Sequence, residues 1–153
     1  MEITASETIA LPVQRVFERI TDISSWPDVA ESIVGVEVLT EGPVGVGTRF
    51  RETRVMFGKE ASEEMEVTAF EPPRSWTHEA RSHGMHYVTT TTFEPTNDGG
   101  TEICMRFAGT PTSLGGKIMG VLMGALMKGQ CLKATKKDLA DMKAAYEAEE
   151  SAA

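Results

Sequence analysis

Residues 85–109, MHYVTTTTFEPTNDGGTEICMRFAG, decide the fold because they contain two strands and the turn that joins them. Polar and apolar side chains alternate on both sides of the turn, which is the period of a half-buried β-strand. Asn97, Asp98, Gly99 and Gly100 are residue types that tight hairpin turns favour. Residues opposite each other in a hairpin share a constant sum of numbers, so the pairing follows by arithmetic. We therefore predict an antiparallel hairpin with one apolar face.

The same alternation and turn chemistry continue towards the N-terminus. We predict strands at about 2–10, 33–40, 47–57, 60–70, 74–82, 85–94 and 101–109. A helix is predicted from Pro12 to Asp22, with a break and a further short helical segment near Trp26-Pro27, because proline disfavours helical geometry in the residue before it. After Ser113 the chain is predicted to be helical to about Glu149. The predicted order is thus a strand, two short helices, six strands and one long helix.

Extending the pairing arithmetic across the hairpins separates two faces of the predicted sheet. The first face carries Phe50, Glu52, Arg54, Met56, Met65, Val67, Ala69, Trp76, His78, Ala80, Tyr87, Thr89, Thr91, Phe93, Ile103, Met105 and Phe107. The second carries Arg49, Arg51, Glu64, Glu66, Glu79, Arg81, Glu94, Glu102 and Arg106. Only the first face is a plausible interior, and it mixes aromatic with polar residues. A packed core must pair each buried polar group, whereas a cavity leaves some of them to water and ligand.

The predicted long helix has two halves with different patterns. In the second half, Leu132, Thr135, Leu139, Met142 and Tyr146 form one apolar stripe that can lie on the sheet. The first half contains GGKIMGVLMGALM, residues 115–127, which is apolar on every side. We predict that Ile118, Leu122 and Ala125 continue the stripe and that Met119, Met123 and Met127 form a second flank. The pattern leaves three interpretations of that flank open: ordinary core, the wall or lid of a cavity, and a dimer or membrane-surface contact.

Composition and charge restrict the class of protein. A chain of 153 residues is expected to form a single domain, here residues 1–149 with a frayed tail at 150–153. Fifteen basic against 23 acidic residues give a net charge of -8, which argues against nucleic acid as a partner. The two cysteines predict neither a disulfide framework nor a zinc site. No signal peptide or transmembrane segment is expected, and a cytoplasmic location is the prediction.

Several short motifs resemble those of the SRPBCC superfamily, which groups START-related, polyketide cyclase/dehydrase-like and pollen-allergen-like proteins. The motifs are RVFERITD at 15–22, SWP at 25–27, GVGTRF at 45–50, FEPPR at 70–74, and FEP at 93–95 with GGT at 99–101. The resemblance implies an α+β helix-grip fold, in which a curved antiparallel sheet of about seven strands wraps around a long C-terminal helix. It also implies an internal cavity for an apolar or amphipathic molecule, with Trp26 closing one end. A glycine-rich loop at 41–47 lacks the ending of a phosphate-binding loop.

Two side chains on the inner face are candidates for acid–base chemistry. His78 titrates near neutral pH and is predicted to lie beside Thr89 and Val67, while Glu52 lies two strands away. The simpler interpretation, which we prefer, is that Glu52 pairs with Arg54 or another charge and that His78 is structural. The three histidines are not expected to bind a metal, because His78 and His86 point to opposite sides of the sheet. We expect no cofactor.

These observations favour binding or transport of a small hydrophobic molecule, lipid-like or polyketide-like, in an internal cavity. The residues predicted to contact it are Trp26, Phe50, Arg54, Trp76, His78, Tyr87, Thr89, Met105, Phe107, Met119 and Met123. Two alternatives stay open. One is a cyclase or dehydratase that uses His78 and Glu52, so whether the chain is an enzyme is undecided. The other is an interaction module whose methionine-rich helix contacts a protein or a membrane surface, and either a monomer or a homodimer fits the pattern.

Overall fold

The structure is a computed structural model that describes residues 1–152 and consists of one sheet and three α-helices. The strands are β1 (Glu2–Ile9), β2 (Ile33–Val38), β3 (Arg49–Met56), β4 (Lys59–Glu71), β5 (Ser75–Ser82), β6 (Met85–Pro95) and β7 (Thr101–Pro111). The helices are α1 (Val13–Thr21), α2 (Trp26–Val29) and α3 (Leu114–Ala152), with a 3₁₀ turn at Ile23–Ser25. This arrangement confirms the predicted α+β helix-grip fold with two short helices after the first strand.

The seven strands form one curled antiparallel sheet in the order β1-β7-β6-β5-β4-β3-β2. The hairpin arithmetic is confirmed on the central strands, where His78 lies opposite Thr89 on one side and Val67 on the other. Phe93 likewise lies opposite Ile103. Because side chains alternate between the two faces, these registers place the mixed aromatic and polar set on the concave face, against α3.

One position on β4 differs from the prediction because the strand contains a β-bulge. The pairing with β5 shifts between Val67 and Ala69, which inserts one extra residue and reverses the direction of the side chains that follow. Ala69 is exposed, so its predicted place on the inner face is wrong. Phe70 takes that place opposite Trp76, and its ring lies 5.4 Å from the ring of Phe17 in α1.

The second half of α3 packs on the sheet as predicted. Leu139, Met142 and Tyr146 are buried in the core, and the helix lies mainly against β1. Its C-terminal end is fixed to α1, where Arg19 forms a 2.6 Å ion pair with Glu149 and lies over the ring of Tyr146. Residues 150–152 of the predicted tail continue the helix, and Ala153 lies outside the described residues.

The first half of α3 is rotated relative to the prediction. Ile118, Leu122 and Ala125 are exposed, so the prediction that they continue the stripe on the sheet is wrong. The residues of this half that are at least partly buried are Gly116, Gly124 and Met127, in line with Cys131 and Asp138 further along. The helix therefore turns small glycines towards the sheet and large apolar side chains towards solvent.

The N-terminal end of α3 is fixed to the turn between β5 and β6. The backbone amide of Thr112 donates to the carbonyl of Gly84 at 2.8 Å, and the amide of Gly116 donates to Ser113 Oγ at 3.0 Å. Gly116 passes so close to the turn that a Cβ atom there would lie 2.2 Å from the Gly84 carbonyl oxygen. A Cβ atom at Gly120 would have no neighbour within 4 Å. The helix is thus clamped at Gly116 and has free space one turn later.

Gly116→Ala is expected to lower the free energy of unfolding by about 1–3 kcal/mol, because the new methyl group overlaps backbone that cannot move independently. The matched variant Gly120→Ala is expected to raise it by about 0.5–1 kcal/mol, since alanine favours the helix and meets no obstacle. Urea denaturation of the two variants measures both. Equal effects of the two substitutions would show that the Gly84–Gly116 contact does not constrain the helix.

Candidate functional site

The candidate site lies on the concave face of the sheet, beneath the first half of α3. Along β5 and β6 the inward side chains change from fully buried at Trp76 and Thr91 to half-buried at Tyr87, near the β5–β6 turn. At the buried end, Phe17 of α1 packs on Phe93 and Trp26 of α2 packs on Trp76, and the second half of α3 adds Leu139 and Met142 to the same core cluster. At the other end, the glycine-bearing half of α3 approaches the sheet at Gly116, beside Gly84. The concave face is consequently closed at one end and partly open at the other.

Four rings form the floor of the closed end. His78 lies 5.0 Å from Trp76, 5.7 Å from Phe50 and 6.2 Å from Trp26, measured between ring centroids. Trp26 is held in place because its indole N–H donates to the carbonyl of Ile20 at 2.8 Å. Such edge-on and tilted contacts are favourable aromatic geometries. The sequence prediction of Trp26, Phe50, Trp76 and His78 as site residues therefore corresponds to one contiguous aromatic wall.

His78 is a neutral imidazole within this wall. Burial among the rings disfavours the charged form and, together with the positive charge of Arg54, lowers the pKa of His78 to about 4. At neutral pH the ring therefore has one N–H donor and one unprotonated nitrogen that accepts. Thr89, also predicted as a site residue, is buried directly opposite His78 on β6.

Two polar groups at the closed end are buried without a hydrogen-bond partner among the described residues. They are the indole N–H of Trp76 and the hydroxyl of Thr91, which occupy opposite positions on β5 and β6. A buried polar group without a partner costs about 1–3 kcal/mol, so native proteins rarely leave two of them adjacent. The pair therefore indicates a place for a water molecule or for a polar atom of a ligand.

A charged cluster borders the aromatic wall. Arg54 Nε lies 2.7 Å from Glu52 Oε1, and Arg54 Nη1 lies 3.0 Å from Asp138 Oδ2 on α3. Ser32 Oγ donates to the other oxygen of Asp138 at 2.7 Å. Burial alone would lower the pKa of Arg54, but the two carboxylates overcome it and hold this pKa above its usual value. Glu52 therefore has the pairing that the simpler interpretation gave it.

Sequence reasoning missed two acidic residues of the site, Glu63 and Asp138. Glu63 lies directly opposite Glu52, and the hydroxyl of Ser82 donates to it. The pairing arithmetic could have identified Glu63, because Phe50 pairs with Met65 and the residue numbers 52 and 63 add up to the same sum as 50 and 65. Asp138 lies on the sheet-facing line of α3, but a search for apolar stripes does not select it because its side chain is acidic. Asp138 thus joins Glu52 as a second carboxylate paired with Arg54, whereas Glu63 lies beside Glu52 and accepts from Ser82.

The open end of the site is lined by Tyr87 and Phe107. Their rings stack with centroids 5.5 Å apart and an interplanar angle of 19°. Gly109 leaves room for this pair, since a Cβ atom there would lie 3.2 Å from the Tyr87 ring. Burial, and to a smaller degree the charge of Glu63, raises the pKa of Tyr87. The predicted site residue Met105 is partly buried against the core nearby.

The methionines of α3 that were predicted to contact the ligand are exposed to solvent to different degrees. Met119 is more than half exposed and Met123 is 38% exposed, so both lie on the flanks of α3 and not on its sheet-facing line. Met127 and Cys131, which do lie on that line, form the roof instead. His86 contacts Glu79 on the outer face at 2.6 Å, away from His78. Residues 1–152 contain no group of three or more side chains that could hold a metal ion.

A curled sheet that grips a C-terminal helix above a partly open concave face defines a helix-grip protein of the SRPBCC superfamily. A comparison with protein families agrees with this class. The profile of the family described as polyketide cyclase / dehydrase and lipid transport matches residues 1–147, and the chain belongs to this family. A comparison with curated protein sequences finds no match.

Solved structures with the same fold span almost the whole chain. They include TTHA0849 from Thermus thermophilus, with a TM-score of 0.81 and 20% identity over 97% of this chain and 99% of that one. The Zhui aromatase/cyclase from Streptomyces sp. R1128 has a TM-score of 0.81 and 14% identity over 96% and 93%. Ara h 8.0201 has a TM-score of 0.66 and 14% identity over 97% and 98%. At these identities the likeness shows a shared fold.

Proposed function

We propose that the protein binds one small, uncharged hydrophobic molecule that has a hydroxyl group, such as an aromatic or polyketide-like compound, on the concave face beneath α3. The observation that supports this proposal most directly is the buried, unpaired Trp76 N–H and Thr91 hydroxyl at the end of an aromatic wall. Membership of a family described by polyketide cyclisation and lipid transport is consistent with such a ligand.

The charges around the site favour a neutral ligand over a carboxylate. Arg54 is the cation of the cluster, and both Glu52 and Asp138 already pair with it. The cluster therefore has one more negative than positive charge, and Glu63 lies opposite Glu52 on the neighbouring strand. A ligand carboxylate would be repelled there, whereas a hydroxyl donates to carboxylate oxygens. We therefore expect phenols and alcohols to bind more tightly than acids of the same ring size.

A second candidate function is acid–base catalysis of the cyclase or dehydratase kind. It is supported by His78, which is neutral at pH 7 and touches aromatic rings rather than a carboxylate. Glu52 is less suited to this role because Arg54 already binds it. An enzyme of this kind loses turnover in His78→Phe while it still binds its ligand. A His78→Phe variant that retains turnover removes His78 from the mechanism.

A matched series of ring compounds tests the proposed ligand class. Isothermal titration with 2-naphthol, naphthalene and 2-naphthoate compares a hydroxyl, a hydrogen and a carboxylate on one ring system. We expect 2-naphthol to bind most tightly and 2-naphthoate least tightly, because only the hydroxyl satisfies the unpaired polar groups without adding negative charge. Equal or tighter binding of 2-naphthoate would overturn the proposed selectivity.

Thr91→Val removes one of the two unpaired groups at nearly constant volume. We expect about tenfold weaker binding of 2-naphthol and unchanged or higher stability of the free protein, because the lost hydroxyl had no partner. Thr90→Val is the matched control, since Thr90 lies on the opposite face and bonds with Thr77 at 3.1 Å. If both variants bind 2-naphthol as the wild-type protein does, Thr91 is not part of the binding site.

A further inference from the structure

The outer face of α3 exposes a continuous group of large apolar side chains. This outer face consists of Leu114, Ile118, Val121, Leu122 and Leu126, each more than half exposed. The largest exposed fractions are 86% for Val121 and 75% for Leu122. Contiguous apolar surface of this kind marks an interaction site, whereas singly scattered apolar residues do not. The outer face therefore needs a partner that the sheet does not supply.

The sequence segment that carries this face has a charge opposite in sign to that of the whole chain. The protein has a net charge of -8, yet residues 103–137 contain no Asp or Glu. The basic residues in this segment are Arg106, Lys117, Lys128, Lys133, Lys136 and Lys137. Lys137 pairs with Glu31 and Asp141, whereas the salt bridges of residues 1–152 involve none of the other four lysines. Arg106 pairs with Glu2, so the positive charge without an ion pair belongs to Lys117, Lys128, Lys133 and Lys136.

Helical geometry places two of these lysines in line with the apolar residues. Lys133 follows Leu122 by 11 residues, which is about three turns of an α-helix, or about 16 Å along the axis. Lys136 follows Lys133 by three residues, so it lies on the same side. Both side chains are exposed. The outer face therefore changes along one side of the helix from apolar at Ile118–Leu126 to basic at Lys133 and Lys136.

We propose that the outer face of α3 docks on a membrane surface that contains anionic lipids. A helix with exposed Leu, Ile and Val beside lysines lies in the plane of the lipid headgroups, where apolar side chains enter the acyl boundary and lysines contact phosphates. No helix within residues 1–152 is long and apolar enough to cross a membrane, which is consistent with surface docking. The negative charge elsewhere on the protein is screened beyond a Debye length of about 8 Å.

A second copy of the chain is a poorer partner for the same face. A symmetric dimer brings the same patch of two copies together, so the lysines near the outer face would meet a surface that also carries lysines and no carboxylate from residues 103–137. Anionic lipids instead supply the negative charge that residues 103–137 lack. The docking proposal is independent of the proposed ligand, because the outer face and the ligand site lie on opposite sides of α3.

Co-sedimentation with phosphatidylcholine vesicles, prepared with and without phosphatidylglycerol, tests the proposal on the full chain. We expect binding to the vesicles that contain phosphatidylglycerol and a decrease in binding as salt rises. Lys133→Gln with Lys136→Gln is expected to weaken binding by about 30-fold, and Leu122→Glu by about tenfold or more. Val46→Glu is the matched control, because Val46 is 70% exposed on the β2–β3 loop and receives the same charge. It should bind as the wild-type protein does.

Three results would overturn the docking proposal. The first is a failure of the wild-type protein to bind either kind of vesicle. The second is binding that Val46→Glu weakens as much as Leu122→Glu, because overall charge would then explain it. The third is a dimer, detected by light scattering, that Leu122→Glu dissociates and that does not bind vesicles, which would assign the outer face to a second copy. Circular dichroism checks that each variant keeps its helix.

Discussion

We expect Arg54→Met to lower the free energy of unfolding by about 3–5 kcal/mol, which is the largest single effect that we predict for this protein. The arginine lies between Glu52 and Asp138, at 2.7 and 3.0 Å, with only 21% of its side chain exposed. Methionine fills a similar volume but leaves two carboxylates buried without their cation. Removing one partner of a buried ion pair is costly for that reason, even where the pair itself adds little stability.

Guanidinium denaturation of two further variants separates this effect from a general loss of charge. Arg49→Met removes a surface arginine that pairs with Glu64, where water screens the charges, and we expect little change. A triple variant that combines Arg54→Met with Glu52→Gln and Asp138→Asn removes all three charges and is expected to recover most of the lost stability. If Arg54→Met and Arg49→Met prove equally mild, the cluster does not hold α3 on the sheet.

We expect His78 to lower the free energy of unfolding by about 3 kcal/mol as the pH falls from 6.5 to 4. The pKa of His78 is lowered to about 4 in the folded state, against 6.5 in the unfolded chain. Between these values the unfolded state binds more protons than the folded state, so stability rises with pH. The contribution of His78 is therefore complete above pH 6.5 and is lost as the pH falls towards 4.

The comparison of wild-type protein with His78→Phe isolates this effect, because phenylalanine fits the aromatic wall and does not titrate. Stability measured from pH 7 to pH 4 should fall by about 3 kcal/mol more in the wild-type protein than in the variant. His83→Asn is the control, since His83 is exposed in the β5–β6 turn. Parallel pH profiles for wild type and His78→Phe would contradict a buried neutral His78, and an NMR titration of the ring would decide the question directly.

The sheet was largely predictable because its turns are encoded locally. Gly84 and the Asn97–Gly100 turn determine the hairpins of β5, β6 and β7, and alternation then determines which side chains share a face. That reasoning brought Trp76, His78 and Phe50 together without any tertiary information. It failed at Ala69, because a β-bulge adds one residue without a distinctive local sequence.

The helix was less predictable because α3 is apolar all round in its first half, so no stripe indicates which side meets the sheet. Packing decides the rotation instead: Gly116 must approach Gly84, and this contact turns Ile118 and Leu122 outward. The net charge of the whole chain was also a poor guide to its surface, because a net charge of -8 conceals a segment without acidic residues. Asp138 was overlooked because the sequence does not distinguish a buried aspartate from a solvent-exposed one unless its partner, here Arg54, is known.

The pairing of β1 with β7 has a consequence for how the chain reaches its native state. Glu2 lies opposite Ala108, so the first strand of this sheet pairs with a strand about a hundred residues later in the sequence. The hairpins from β3 to β7 join strands that are neighbours in sequence and are expected to form early, whereas closing the sheet at β1 requires a long loop. During translation the apolar side of β1 consequently stays unprotected until β7 has emerged, and folding is expected to be slow and to finish with β1.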